Sequence, residues 1–424
     1  MDILVIGSGG REHAIVRKLR ESPRVGRLYC APGNGGIAQD AECVNVNAMD
    51  KEGMLALARE KAVDLVFVAP DDPLGAGMVD YLEAGGFLCY GPNQKAAEIE
   101  SSKVFSKNLM KKYGIPTAGY EVFDDPANAL DYIKRLGKYP AVIKADGLAV
   151  GKGVIIAQNE GEAAQALRSL MEDKIFGDSG SRVVVEEFLT GPEVSVLAFT
   201  DGKVMRPMVS SMDHKRAFDG DKGPNTGGMG TIAPSPLYTP ETAKECMEKI
   251  FMPTMEAMNA EGRPFKGCLY FGLMLTPEGP KVIEFNSRFG DPETQVVLPL
   301  LETDFGEIVE ATARGTLADV DIRWSKEACA CVILASGGYP GSYPKGKEIT
   351  GLDEKGQAPG VMVIHAGTKY EDGKFYTNGG RVLAVTAKAP TLKEALDKAY
   401  AGVDGIRFEG CFCRRDIGAK ALGR

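Results

Sequence analysis

The sequence predicts an α/β protein of three units: a parallel α/β domain over residues 1–103, a larger central domain over 104–327 whose segment 121–190 forms a mobile lid, and a small α+β domain over 328–424. Three observations predict it. At 424 residues the chain exceeds the ~250–300 at which a single core stops growing. Its first hundred residues alternate short apolar runs with helical stretches, the pattern of a parallel sheet. Glycine accounts for 52 of 424 residues, about 12% against a usual ~7%, concentrated in loops that also carry Lys, Arg and Asp. Such loops let backbone approach a ligand closely.

In chain order, Ile3–Ile6 is a buried strand, and Gly7-Ser8-Gly9-Gly10 leads into a helix over Arg11–Glu21. Strands follow near Arg27–Cys30, Asp64–Ala69 and Phe87–Tyr90, with helices over Lys51–Lys61 and Leu74–Ala84. The first turn is not a dinucleotide fingerprint. Glu12 stands where the third glycine belongs, and the second strand ends in Tyr29-Cys30-Ala31-Pro32 with no acid to hold a ribose. The turn either rests a mononucleotide-type phosphate on the helix N-terminus, with Arg11 and Gly33-Asn34-Gly35-Gly36 as further donors, or is a tight turn that binds nothing. Asp71 and Asp72 sit at a strand's carboxyl end, where they either hold sugar hydroxyls or cap the next helix. Ser101–Tyr113 is an amphipathic helix whose Lys103 faces either the next domain or solvent.

Tyr139–Ala145 is a strand with one lysine, Lys144, among apolar residues, a costly placement unless an anion pairs with it. Asp146–Val154 follows, a glycine-rich hairpin flap containing Gly147, Gly151, Lys152 and Gly153. It lacks the Ser/Thr and the following helix of a Walker A loop. Its backbone N–H groups suit phosphates. After a helix, Glu160–Glu172, the strand Arg182–Phe188 carries Glu186 and Glu187, and Glu193 opens the strand to Thr200. A polar loop from Ser210 to Gly230, a helix Glu241–Glu261 and a strand Gly267–Leu275 come next. In Lys281–Thr294, strand alternation turns Glu284 and Asn286 to one face and Ile283 and Phe285 to the core. A carboxylate beside an amide oxygen suits Mg²⁺, which leaves positions for water and phosphate. Arg288 and Asp291 add a fixed cation and a free carboxylate. The last unit reads as strands Cys329–Ala335, Val361–His365 and Arg381–Ala387 with a helix from Thr391.

The net charge of −8 argues against nonspecific binding to nucleic acid or an anionic membrane. No apolar run approaches the ~20 residues of a membrane helix. Met1-Asp2 leads straight into a strand, as in a chain without a signal peptide. Nine dispersed cysteines read as free thiols in a reducing compartment, and the Cys329-x-Cys331 spacing is not that of zinc. The expected setting is the cytoplasm.

A buried lysine, a glycine flap, Glu186-Glu187-Phe188-Leu189 and a late Glu284-x-Asn286 form the ATP-grasp pattern. Across nearly the whole length the chain resembles the glycinamide ribonucleotide synthetase (phosphoribosylamine–glycine ligase) family. The matching motifs are Gly7–His13, Ala31–Asn34, Lys144–Gly147, Asp213–Arg216, Pro224–Gly230, Asn286–Glu293, His365–Lys369 and Cys411–Arg414, in family order. Two positions depart from it: Asp71, where the family usually has Glu, and Ser287, where cysteine is common. The resemblance implies a central ATP-grasp domain, ATP as co-substrate, Mg²⁺ or Mn²⁺ on Glu284 and Asn286, and a monomer acting on glycine and 5-phosphoribosylamine. It implies ATP contacts from Lys103, Lys144, Gly147, Gly151, Lys152, Gly153, Glu186, Glu187, Phe188, Leu189 and Glu193. Substrate contacts would come from Gly9, Gly10, Arg11, Gly33, Asn34, Asp71, Asn225, Thr226, Gly227, Gly228, His365, Gly367 and Arg381. The chemistry would fall to Asp213, Lys215, Arg288 and Asp291; separately from the resemblance, our own expectation is that Asp291 pairs with the ammonium of glycine while Arg288 holds its carboxylate. Rival readings are another ATP-grasp carboxylate–amine ligase and, from a different class, a nicotinamide dehydrogenase that the first turn already disfavours.

Overall fold

The computed structural model describes residues 1–148, 153–173 and 177–423. The first hundred residues form a parallel sheet in the order Glu42–Cys43, Leu28–Pro32, Ile3–Gly7, Leu65–Val68, Leu88–Tyr90. Strands buried on both faces need apolar runs, and Ile3-Leu4-Val5-Ile6 is fully buried. Strand order reverses beside the central strand Ile3–Gly7, so a crevice opens beyond the carboxyl ends of it and of Leu65–Val68. The helix expected over Leu74–Ala84 is two helices, Asp71–Gly75 and Met78–Ala84. Gly77, at φ +82°, separates them in a left-handed conformation that Gly adopts without strain. Asp71 therefore stands in a helix's first turn at the edge of the crevice.

The central sheet is antiparallel, in the order Met205–Pro207, Glu193–Thr200, Gly267–Thr276, Gly279–Asn286. Its apolar face packs Val196, Phe271, Val282 and Phe285 against Ile250, Phe251 and Met258 of the helical segment 240–260. Strands Tyr120–Phe123, Val183–Glu187, Ala141–Ala145 and Val154–Ala157 form the lid sheet, which has a core of its own.

Two expectations are corrected. Residues 210–230 are not all loop: Met212–Asp213 and Gly230–Ala233 pair and extend into a five-stranded sheet with Ala328–Ala335, Arg381–Ala389 and Met362–His365. Buried Met212, Ile232 and Ala233 anchor these strands, and only the hairpin Arg216–Phe218/Lys222–Asn225 projects. Nor does Ile283 enter the core. Pairing passes from Gly272 with Glu284 to Leu273 with Val282, a bulge that leaves Ile283 out of register. The bulge rephases the strand, so Val282 and Phe285 are buried and Ile283 is half-exposed. The nine cysteines are free, and among the described residues no helix is long and apolar enough to cross a membrane.

Candidate active site

The site is built around this bulge. Opposite Glu284 stands Gly272, where a Cβ would come within 3.1 Å of Glu284 Cγ, so the glycine makes room for the carboxylate's stem. The bulge also frees backbone carbonyls. Lys144 Nζ donates to Ile283 O (3.1 Å), and Thr117 Oγ1 donates to Val282 O (2.7 Å). Burial pushes the Glu284 carboxyl up, but Lys215, Lys144, Lys103 and Arg288 outweigh it and hold the group below its ordinary range. Four cations from four segments thus converge on one carboxylate.

The buried lysine of the lid has the anion its placement requires. Lys144, 5% exposed, lies 3.1 Å from Oε1 of Glu186, itself 5% exposed on the neighbouring lid strand. Lys103 donates to Gly147 O (2.9 Å), fastening the start of the flap to the helix that begins the central domain. Burial depresses its ammonium, with Lys144 adding to the effect against Glu284. Asp146 completes the seam by accepting from Ser102 Oγ (3.0 Å) and Val104 N (3.1 Å). Gly153 O accepts from Ala145 N (2.8 Å) at the base of the hairpin. Gly151 and Lys152 lie outside the described residues. Glu187 Oε1 accepts from Gly119 N (3.0 Å), and Phe188, Leu189 and an exposed Glu193 continue the chain into the central sheet.

A second group of charges adjoins the first. Arg288 Nη2 lies 2.9 Å from Glu100 Oε1 and 3.7 Å from Asp71 Oδ2, and its Nε has no hydrogen-bond partner. Burial lowers the Arg288 pKa, but Glu100 and Asp71 overcompensate and raise it. Glu100 is buried and accepts from Ser287 N and Ser287 Oγ, both at 2.8 Å. With the Asn286 amide assigned from its surroundings, so that its nitrogen faces the acceptors Glu100 Oε1 (2.9 Å) and Phe285 O (3.2 Å), its oxygen turns the other way. One carboxylate with one amide oxygen is a hard-oxygen donor pair that fits Mg²⁺ or Mn²⁺, with phosphate and water completing the shell. No cluster of three or more His, Cys, Asp or Glu that could enclose a metal exists among the described residues.

Asp291 is held from three sides. Gln295 Nε2 donates to it (2.7 Å), Arg11 N approaches at 3.4 Å and Arg381 Nη2 at 3.4 Å. Burial pushes its carboxyl up, and Arg381 and Arg11 bring it below the ordinary value. Arg381 Nη1 also donates to Gly227 O (2.7 Å) and Asp291 O (2.8 Å), which ties the Thr226–Gly228 turn to the same corner. Gly228 is required there, since a Cβ would meet Asp213 Oδ1 at 2.6 Å. Asp213 Oδ1 accepts from His214 N (2.7 Å), whereas its buried Oδ2 makes no hydrogen bond and has Lys215 Nζ at 3.4 Å. Burial pushes Asp213 up to about 7, with Lys215 opposing and Glu293 reinforcing.

Other expected substrate residues have protein partners. Arg11 bonds Glu12 (2.6 Å) and Phe289 O (3.2 Å). Glu12 Oε2 accepts from Gly9 N (2.6 Å), a capping-box contact at the N-cap of the first helix, beside Gly10. Asn34 accepts from Gly36 N and Ile37 N (2.9 Å each) and donates to Ser8 O (2.8 Å) and His365 O (3.0 Å). Gly33 leaves room for Cys43 Sγ, and Gly367 packs directly on Gly379. The His365 ring is spent on Thr368 Oγ1 (3.1 Å) and Gly356 O (2.8 Å), and burial pushes it down to about 3. Asn225 is exposed at the end of the projecting hairpin. Sequence reasoning missed Glu100, which braces Ser287 and Arg288; Lys107, 3.0 Å from Glu186; and Glu293, which acts on Asp213 and accepts from Tyr270 OH (3.1 Å). Only Lys107 carried a readable signal, as it lies one turn from Lys103 on the same helix face.

The comparisons agree with this architecture. Three family models cover the chain: the phosphoribosylglycinamide synthetase N domain over residues 1–100, its ATP-grasp (A) domain over 101–294 and its C domain over 329–420. A phosphoribosylamine–glycine ligase from Caldanaerobacter subterraneus is 50% identical over 99% of this chain and all of its own length. The crystal structure of a phosphoribosylamine–glycine ligase from Thermotoga maritima matches with a TM-score of 0.86 at 35% identity, covering 98% of this chain and 100% of that one. The biotin carboxylase domain of a Hydrogenobacter thermophilus carboxylase, solved with MgADP and bicarbonate, shares the fold at TM-score 0.74 and 18% identity, covering 97% of this chain and 91% of that domain. The chain belongs to the phosphoribosylglycinamide synthetase family.

Proposed function

We propose that the chain joins glycine to 5-phosphoribosylamine, giving glycinamide ribonucleotide, ADP and phosphate, in de novo purine synthesis in the cytoplasm. The observation that carries this is the group of fixed cations about the Glu284 strand end: Lys144 donates to Ile283 O (3.1 Å), Arg288 lies 2.9 Å from Glu100, and Lys103 and Lys215 also act on Glu284. A carboxylate is a poor electrophile, so the γ-phosphoryl passes first to glycine and makes an acyl phosphate. The charge then spread over the phosphoryl oxygens is stabilised by fixed cations. Lys103 and Lys144 face the polyphosphate, with Glu187, Phe188, Leu189 and Glu193 along the nucleotide base and ribose. Glu284 and Asn286 hold Mg²⁺ or Mn²⁺, which when bound neutralises phosphate charge. Arg288 holds the glycine carboxylate, and Asp291 receives its ammonium alongside Arg381. Asp213, with its unbonded oxygen, accepts the proton that the attacking amine sheds, and Lys215 stands beside it. The flap excludes water from the acyl phosphate.

Phosphate release over a panel of amino acids, with and without phosphoribosylamine, tests the reading. Release that depends on glycine and phosphoribosylamine together supports it. Release driven by another acid or amine makes the chain a different carboxylate–amine ligase of the same fold.

A further inference from the structure

Lys107 lies one turn beyond Lys103 on the helix Lys103–Tyr113 and is 2% exposed. Its Nζ sits 3.0 Å from Glu186 Oε2 and donates to Thr117 Oγ1 (2.7 Å). That hydroxyl in turn donates to Val282 O (2.7 Å). On the other side of the same carboxylate, Lys144 lies 3.1 Å from Oε1 but directs its hydrogen bond to Ile283 O, and Oε1 has no hydrogen-bond partner. One buried carboxylate is thus set between two buried ammonium groups. Both also reach the strand bulge that precedes Glu284, Lys144 directly and Lys107 through Thr117.

Two ammonium groups share this one carboxylate and repel each other, and an anion arriving beside Lys144 would relieve that repulsion. If Lys144 turned to that anion without Lys107 in place, Glu186 would be left buried and unpaired, a strongly unfavourable state. We infer that Lys107 is a positioning residue that keeps Glu186 neutralised and so frees the charge of Lys144 for the nucleotide's phosphates. This rests on the nucleotide reading of the Lys144 site given above. Burial brings the Lys107 ammonium down to about 8, against the attraction of Glu186 and with the repulsion of Lys144. Glu187 and the Tyr120 ring (5.7 Å to its centroid) are the other groups that face it. Nucleotide affinity should therefore weaken as pH rises through that value.

The test uses the full chain, Lys107→Met and Lys107→Arg. Binding of ADP and a non-hydrolysable ATP analogue is measured by calorimetry from pH 7 to 9, and KM values by phosphate release. Lys107→Met should weaken nucleotide binding and raise the ATP KM about tenfold, leaving the glycine KM within about twofold. Lys107→Arg should restore affinity to within about threefold. The parent should lose up to about tenfold in affinity between pH 7 and 9, as the ammonium empties one unit above its pKa, and the arginine variant should not. The inference is overturned by unchanged nucleotide affinity in Lys107→Met, by equal rises in the ATP and glycine KM, or by the same pH loss in Lys107→Arg. Should Lys107→Met fail to fold, the parent-against-arginine pH comparison decides alone. Failure of the ligase reading looks different: the parent binds nucleotide yet releases no phosphate with glycine and phosphoribosylamine.

Discussion

Replacing Asp213 by Asn should make the folded chain more stable and the enzyme slower, and both effects follow from one buried oxygen. Asp213 Oδ1 has the His214 amide as donor, and an Asn oxygen can keep that bond. Oδ2 has no hydrogen bond, so its charge is held chiefly by Lys215 at 3.4 Å, with Arg381 helping, while Glu293 repels it. Moving the carboxyl from an ordinary 3.8 to about 7 is worth about 4 kcal/mol against the folded state once pH exceeds both values. The sign is fixed by proton counting. Between pH 4 and 7 the folded chain keeps a proton that the unfolded chain has lost, so this group's contribution to stability falls as pH rises. The penalty grows by about 2–3 kcal/mol between pH 5 and pH 8. His214, pushed down to about 4 by burial, and His365, pushed down to about 3, act in the opposite sense over the same interval. Only the difference between parent and variant isolates Asp213. Urea denaturation of both at pH 5 and pH 8 supplies that difference, and phosphate release supplies turnover. The variant should gain at pH 8 relative to pH 5 by about 2–3 kcal/mol and lose at least about a hundredfold in turnover. A pH-independent difference, or a variant less stable than the parent at pH 8, refutes the reasoning.

Three further outcomes are expected. Glu284→Gln should lower turnover in phosphate release, with a deficit that raised Mg²⁺ partly offsets; parent-level activity would remove Glu284 from the metal site. Asp291→Asn should raise the glycine KM far more than the ATP KM, and equal increases would reject the ammonium contact. Gly36→Ala should destabilise the fold by about 1–3 kcal/mol in denaturant titration, since an added Cβ meets His365 Cγ at 2.3 Å although φ −80° suits any residue. A null effect there would mean that the His365 loop yields freely.

The three-part fold and the charged centre were legible because each rests on local pattern. Apolar runs gave the parallel sheet, and a lone lysine on the lid strand announced that an anion must face it, which Glu186 does at 3.1 Å. What escaped depends on distant segments. The bulge at Ile283 is invisible to strand alternation, because it is set by Gly272 across the sheet and by the demands of Thr117 and Lys144 on two freed carbonyls. Glu100 reads as an ordinary helical acid until Ser287 and Arg288, almost two hundred residues later, surround it. Asn34 and His365 show a second feature that motif reading does not see. A polar side chain in a glycine-rich loop reads as a ligand contact, yet these two join the first domain to the last, with Asn34 donating to His365 O and His13 accepting the His365 N–H at 2.7 Å. Polar residues seal domain seams for the same reason that they line ligand clefts, since backbone groups buried between rigid units must find partners. Motif reading therefore marks both kinds of position, and only the packing tells a seam from a cleft. At Asp213 and Arg288 a polar atom is left without a partner, as a ligand site requires; at Asn34 and His365 both polar side-chain atoms are engaged.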